Sequence, residues 1–315
     1  MRIIKDTYGR SFKTLRISLL NKCNLSCTYC TMGEYQVKED TPQLSTAELL
    51  KIVGQLHHTL GLQTIRLTGG EPLLYHNLVE VIAGVKEMGI PEIKITTNGF
   101  LLEKLAVPMK QAGMQSINVS LDAIDESIFF LMSKRNNVQR ILDGIEAALT
   151  AGLQVKLNAV IMKGINQSQI LPLLEYAFQR NITIRFLEVM AMGYLHQQSE
   201  KYFFSQEEIL KIIANEYDFK KLKREVASTS NYWQTSQGNI FGIIANESEP
   251  FCGDCNRLRL DSNGNLYGCL SSNYPIAVSD WNNKNELNEK IYQALLQKQA
   301  VKFTGSNLSM LHIGG

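Results

Sequence analysis

At 315 residues, with 44% apolar and 20% charged side chains, the chain has the composition of a soluble globular protein long enough to bury a substantial core. A net charge of +2 excludes the broad electrostatic field of a nucleic-acid or membrane-surface binder, so an anionic ligand has to be gripped by a local cluster of cations. No apolar run approaches the roughly 18 residues of a membrane span, and Met1-Arg2-Ile3-Ile4-Lys5-Asp6 carries no signal-peptide core, which predicts a cytoplasmic protein with reduced thiols.

In chain order, an apolar run Leu15–Leu20 reads as a first strand and is followed at once by Cys23-Asn24-Leu25-Ser26-Cys27-Thr28-Tyr29-Cys30. Ser45, with Glu48 three residues on, marks a helix start; Leu49, Leu50, Ile52, Val53 and Leu56 supply its apolar face and Gly61 its end. Short strands then alternate with helical stretches: Thr64–Thr68, Ile93–Thr97, Ser116–Ser120, Val155–Ile161 and Thr183–Glu188. Ser168–Arg180 and the stretch after Ser205 read as helices, and the basic passage Asp218–Ser230 as a link between two regions, 1–217 and 218–315. Regular βα alternation predicts a parallel sheet with outer helices, bent into a partial (β/α)6 barrel.

Side-chain alternation along those strands favours a barrel over a doubly wound sheet. A sheet covered on both faces reads apolar throughout. Here Arg16 and Ser18, Thr64, Arg66 and Thr68, Asn118 and Ser120, and Lys156 and Asn158 each share one face of a strand while aliphatic residues take the other. The predicted lumen is therefore wet and lined by Arg16, Arg66, Lys156 and Arg185, a set of cations that calls for an anion. Polar stretches fall where the strands end: the Cys loop, Gly69-Gly70-Glu71-Pro72, Thr96-Thr97-Asn98-Gly99, Ser120-Leu121-Asp122 and Glu188-Val189-Met190. The C-terminal strand ends are where parallel barrels keep their chemistry.

The six cysteines divide into two triplets, Cys23, Cys27 and Cys30, and Cys252, Cys255 and Cys269. Soft thiolates select iron–sulfur clusters, zinc or Cu(I). A zinc loop is normally closed by a fourth protein ligand, whereas three thiolates leave one iron of a cubane cluster free for a non-protein ligand. In the second triplet a hairpin turning at Ser262-Asn263-Gly264-Asn265 returns Cys269 to the Cys252–Cys255 knuckle, and Arg257 and Arg259 share one strand face beside it. Their guanidinium forks suit a carboxylate, a phosphate or a base edge.

The C-x3-C-x2-C spacing, with Tyr29 before the last cysteine and a G-G-E-P stretch after the next strand, resembles the radical S-adenosylmethionine (SAM) enzymes. There the open iron chelates SAM, and an electron cleaves it to a 5′-deoxyadenosyl radical. The C-x2-C-N-R-x-R-L…G-C-L region and the terminal Ile313-Gly314-Gly315 narrow the resemblance to the GTP 3′,8-cyclase family of molybdenum cofactor biosynthesis, over nearly the whole chain. L-R-I-S, I-R-L-T-G-G-E-P, T-T-N-G, N-V-S-L-D-A-I-D, K-G-I-N and R-F-L-E-V-M carry the rest of it.

That resemblance implies a C-terminal α+β region with a second cluster, hence two [4Fe-4S] clusters, on Cys23, Cys27 and Cys30 and on Cys252, Cys255 and Cys269. Tyr29, Gly70, Ser120 and Met190 would contact SAM; Arg16, Arg66, Thr96, Lys156, Arg185, Arg257 and Arg259 would contact GTP; Gly314 and Gly315 would reach the active site. It also implies a low-potential electron donor and a downstream cyclic pyranopterin monophosphate synthase, and it leaves room for a homodimer. Two positions depart from the family pattern: Thr31 follows the last cysteine of the first triplet where Met-Pro is usual, and Thr64 stands where a lysine is usual. A peptide-modifying radical SAM enzyme would be expected to carry more auxiliary cysteines. An electron-transfer or sensor protein would leave the lumen cations without a role.

Overall fold

The protein is described by a computed structural model covering residues 4–31, 43–281 and 283–313. Met32, which belongs to the first departure, and Gly314 and Gly315 lie outside the described residues. Six parallel strands form the centre of one sheet: β1 (Thr14–Ser18), β2 (Thr64–Thr68), β3 (Glu92–Thr97), β4 (Ser116–Ser120), β5 (Gln154–Ile161) and β6 (Thr183–Glu188). Helices α2 (Thr46–Leu60), α3 (Leu78–Glu87), α4 (Leu102–Gln111), α6 (Gln139–Thr150) and α7 (Ile170–Gln179) cover the outside. Short α1 (Thr28–Thr31) carries the Cys loop, and α5 (Glu126–Ser133) follows β4. The aliphatic strand face packs on these helices: Leu15, Ile17, Ile65, Leu67, Ile93, Ile95, Ile117, Val119, Leu157, Ile184 and Phe186 are fully buried in one continuous core.

Local signals hold the elements in register. Ser45 and Glu48 form the reciprocal capping box at the start of α2, and Gly61 ends it in the left-handed conformation that favours glycine. A second box, Ser205 with Glu208, starts α9 (Gln206–Ile213), which follows α8 (Ser199–Tyr202). The first strand is shorter than its apolar run, because Leu19 and Leu20 leave the ladder to brace the second loop: Leu19 N donates to Thr68 O and Gly70 N to Leu20 O.

The C-terminal strands extend both edges of this sheet. On one side β9 (Ile240–Ile244) pairs parallel with β6, followed by antiparallel β8 (Asn231–Thr235) and β7 (Phe219–Lys221). On the other, β10 (Arg257–Leu260) pairs parallel with β1, followed by antiparallel β11 (Asn265–Tyr267) and β12 (Ile276–Ala277). The order β12-β11-β10-β1-β2-β3-β4-β5-β6-β9-β8-β7 thus holds eight successive parallel strands between antiparallel flaps. The basic passage after residue 218 therefore contains a strand, and its Arg224 forks onto Asp254 at 2.8 and 2.9 Å beside the second cysteine knuckle. Helices α10 (Lys284–Leu296) and α11 (Met310–Ile313) close the chain.

Candidate active site

The first cysteine triplet sits at the C-terminal end of β1. Cys27 and Cys30 are drawn together by α1, where Cys30 N donates to Cys27 O at 2.8 Å. The Gly-Gly stretch after β2 is pressed against this loop: a Cβ on Gly70 would lie 2.2 Å from Lys22 O, and Gly69 combines φ +141° with a Cβ position 2.7 Å from Leu20 O. The protein's own backbone thus requires both glycines.

Glu71 is turned inward. Its oxygens accept from Leu73 N at 2.9 Å, Thr97 Oγ1 at 2.5 Å and Asn98 N at 2.7 Å, so it ties the β2 loop to the end of β3. Burial pushes its carboxyl up to about 7. Asn98 continues the chain of contacts, with Nδ2 donating to Asn24 Oδ1 at 2.8 Å and lying 3.8 Å from Cys23 Sγ. Across the mouth, Asp122 accepts from Val160 N at 2.8 Å and is hydrogen-bonded by the Tyr29 hydroxyl. Burial pushes Asp122 up to about 7 and, with that carboxylate beside it, holds the Tyr29 hydroxyl well above its usual range.

Burial likewise raises the thiols, Cys23 to about 11 and Cys30 to about 12. The Cys30 thiol also meets the Ser309 side chain and the Leu311 backbone, at the start of the C-terminal helix α11. That helix reaches the other side of the lumen, where Ile313 O accepts from Arg259 Nη1 at 3.1 Å. Met190 packs on the same apolar group as Met192, Tyr267, Phe303 and Ile313, while Ser120 stands on the lumen face of β4, in register with Asn158.

The second triplet lies at the N-terminal end and far edge of β10. Cys252–Asp254 is one tight turn, with Cys255 N donating to Cys252 O at 3.2 Å, and Cys269 follows β11. Gly268 lets that strand end close on α10, since a Cβ there would meet Ala294 O at 1.7 Å. Lys298, which is 7% exposed, donates to Arg257 O at 2.7 Å, Gly268 O at 2.6 Å and Cys255 Sγ at 3.3 Å. Burial alone would raise Cys255; Arg257 and Lys298 overcome it and bring the thiol down to about 6. Cys252, with burial and two neighbouring thiols acting together, rises to about 11.

Between the triplets runs the cationic face of the lumen. Pairing places Arg259, Arg16, Arg66 and Lys94 side by side on four adjacent strands. Burial and mutual repulsion lower Arg16 strongly, and bring Arg66 and Arg259 down to about 10. Arg66 Nη1 contacts Thr96 Oγ1 at 3.4 Å, and Arg185 and Lys156 stand further round beside Tyr232, Lys156 exposed with Nζ 5.8 Å from the ring centroid. Arg16 Nε, Arg185 Nε and Nη2, Ser18 Oγ and Asn158 Oδ1 are buried with no protein partner. Buried polar atoms of this kind are costly unless a ligand pairs with them.

The donor chemistry also bears on what the thiols hold. Among the described residues no three His, Cys, Asp or Glu close on a point as a single metal ion would require. Yet Cys27 lies near enough to Cys23 and Cys30 to be repelled by them. Three soft thiolates grouped in this way are a donor set that fits an iron–sulfur cluster with one iron left open.

Sequence reasoning placed the six cysteines and the lumen arginines in this neighbourhood. It missed Lys94 and Lys298 as contributors and gave Asn98 and Asp122 only as parts of polar strand ends. Lys94 carried a usable signal, lying two residues before Thr96 and hence on the same strand face. Lys298 carried none, because only the tertiary fold brings it to the thiol.

Residues 17–177 match the radical SAM superfamily and residues 182–304 match Molybdenum Cofactor Synthesis C. A GTP 3′,8-cyclase of Synechocystis sp. is 37% identical over 315 residues, covering 100% of this chain and 95% of that protein. One of Staphylococcus haemolyticus is 38% identical over 308 residues, covering 95% and 89%. Among solved structures, Streptococcus suis SuiB bound to precursor peptide SuiA superposes with TM-score 0.67 at 16% identity, over 92% of this chain and 66% of that one. Native anSMEcpe with bound AdoMet gives 0.62 at 15% identity, over 89% and 82%. At those identities the structural likeness is one of fold, whereas the sequence relatives cover the chain from barrel to second triplet. The chain belongs to the GTP 3′,8-cyclase family of radical SAM enzymes.

Proposed function

We propose that this protein converts GTP to 3′,8-cyclo-7,8-dihydro-GTP in molybdenum cofactor biosynthesis, with SAM and two iron–sulfur clusters as cofactors. The observation that carries this reading is the single lumen with cysteine triplets on two sides and a row of cations between them, where Arg16 Nε, and Arg185 Nε and Nη2 further round, are buried without a protein partner. Cys23, Cys27 and Cys30 would hold the cluster that binds SAM, and Cys252, Cys255 and Cys269 the one that faces the purine. When bound, the first cluster and SAM supply a 5′-deoxyadenosyl radical able to take hydrogen from C3′ of the nucleotide.

The chain's own residues position and neutralise. Arg16, Arg66, Thr96, Lys156 and Arg185 face the phosphates, and Arg257 and Arg259 fix the purine end. Tyr29, Gly70, Ser120 and Met190 surround SAM. With Glu71 turned inward, backbone carbonyls of the Gly-Gly stretch are the acceptors left there for the SAM ammonium. Closing C3′ onto C8 consumes one electron and one proton, so a low-potential donor is needed, and the product passes to cyclic pyranopterin monophosphate synthase. No described helix is long and apolar enough to cross a membrane, and we take the cytoplasm as the working compartment.

Anaerobic incubation of the reconstituted protein with SAM, reductant and GTP tests this. The expected result is GTP-dependent 5′-deoxyadenosine together with a cyclised nucleotide detected by mass spectrometry. Deoxyadenosine formed equally with and without GTP, and no new nucleotide, would overturn the substrate assignment.

A further inference from the structure

The row of cations does not end at Arg66. On the next strand Lys94 occupies the same level, between Ile93 and Ile95, which are buried against the helices, so its side chain takes the lumen side. Beyond it the row becomes neutral, with Ser116 and then Gln154. Arg259, Arg16, Arg66 and Lys94 span three strand spacings, about 14 Å, leading away from the second cysteine triplet. The two arginines at the near end sense Cys255 directly, and Arg259 senses Cys269 as well. A nucleotide whose purine lies at that triplet would extend its phosphates along this row, and its outermost phosphate would meet the last cation.

The Lys94 ammonium is aimed by its neighbours. It lies 2.6 Å from Glu92 Oε2, and the same oxygen accepts from Thr64 Oγ1 at 2.8 Å. Thr64 and Glu92 are paired one level below Arg66 and Lys94, so the three side chains form a triangle across β2 and β3. The side chains of Lys94 and Glu92 are 28% and 52% exposed. An ion pair that solvated binds its lysine weakly and can release it to a doubly charged phosphate.

Resting on the triphosphate reading above, we infer that Lys94 is a substrate-binding residue that takes the terminal phosphate and sets the preference for triphosphate over diphosphate. Glu92 and Thr64 are its positioning residues. A lysine at position 64 would reach the same place from the neighbouring strand, which makes the two positions interchangeable.

Calorimetric titration of the reconstituted holoenzyme with GTP, GDP and guanosine tests this in wild type, Lys94→Met and the double variant Lys94→Met/Thr64→Lys. Lys94→Met keeps most of the aliphatic stem, and its cluster content and melting temperature should match wild type. GTP binding should weaken about ten- to a hundredfold in Lys94→Met, with GDP and guanosine changed less than about threefold; Thr64→Lys should recover most of the loss. Unchanged GTP affinity in Lys94→Met, or equal losses for all three ligands, would overturn the role of Lys94. A wild-type protein that binds guanosine as tightly as GTP would instead overturn the triphosphate reading itself.

Discussion

The two cysteine triplets offer the same donors in opposite electrostatic surroundings. Around Cys23, Cys27 and Cys30 burial pushes the thiols upward, and the charged side chains that add to it are acids, Glu71 at Cys23 and Asp122 at Cys27. Around Cys252, Cys255 and Cys269 they are cations, Arg257 and Lys298, with Arg259 and Arg16 behind them, and Cys255 is brought down to about 6. A site lined with acids favours ligands that bring positive charge, which suits iron and then the ammonium and sulfonium of SAM. A site backed by cations favours an electron-rich ligand such as a purine carbonyl carrying a phosphate tail. The division of labour proposed for the two sides of the lumen rests on that contrast.

The largest effects should come from erasing either triplet. Replacing Cys23, Cys27 and Cys30 with Ala should abolish 5′-deoxyadenosine formation while iron analysis still finds about one cluster's worth of metal. Replacing Cys252, Cys255 and Cys269 with Ala should leave SAM cleavage measurable but yield no cyclised nucleotide. If the variant of Cys252, Cys255 and Cys269 lost SAM cleavage as well, the two sites would not be separable in the way their surroundings suggest.

The next largest effect belongs to Arg259. Its fork is buried, it stands in the cation row beside the second triplet, and it donates to Ile313 O in the C-terminal helix. Arg259→Ala should lower cyclisation by at least about a hundredfold while SAM cleavage falls far less. Arg259→Lys, which keeps the charge but loses the fork, should recover only a small part. Full recovery with lysine would mean that charge alone matters at that position.

Lys298 tests the cationic side without touching substrate. Lys298→Met removes the ammonium's hydrogen bonds to Arg257 O and Gly268 O and a donor from Cys255 Sγ. Chemical denaturation should show a loss of about 2–4 kcal/mol. The electron paramagnetic signal attributed to the second triplet should shift, and that of the first should stay where it is. An unchanged signal from the second triplet would limit Lys298 to holding the loop.

Much of this arrangement was readable in the chain. Alternation along β1, β2, β4 and β5 separates helix-facing aliphatics from lumen-facing polar groups, because a barrel strand meets a different medium on each side. The capping boxes at Ser45 and Ser205 mark helix starts through purely local hydrogen bonds, and the triplets announce themselves by spacing. What stayed hidden depends on pairing between distant segments. Nothing local says that β10 lies against β1, so the alignment of Arg259 with Arg16 is visible only in the fold. Glu71 stands in a motif at a strand end, and that two backbone amides and a threonine claim its oxygens is likewise visible only in the fold. The basic passage after residue 218 looked like a solvated link because its strand is only three residues long and exposes both lysines.

Asn98 should give the smallest effect, and it sharpens the acidic side of the comparison. Its Oδ1 accepts from Phe100 N at 3.0 Å and its Nδ2 bonds Asn24 within the Cys loop, while Nδ2 lies 3.8 Å from Cys23 Sγ, at the long end of a sulfur contact. Asn98→Ala therefore removes the turn bond from Phe100 N, one good loop-to-loop hydrogen bond and a weak one to sulfur, worth about 1–2 kcal/mol together, without changing charge. Folding should be nearly unaffected, but the first cluster, held by a loop that has lost its tether to β3, should be shed more rapidly in air than in wild type. Asn98→Asp separates tethering from charge: it keeps the shape and adds a carboxylate beside Cys23. If the acidic surroundings serve to welcome cations, this variant should still bind SAM as tightly as wild type or more so, even while it loses the hydrogen bond to Asn24. Weaker SAM binding in Asn98→Asp than in Asn98→Ala would show that added negative charge near the thiolates harms that mouth, and that SAM is held there by shape and backbone carbonyls instead.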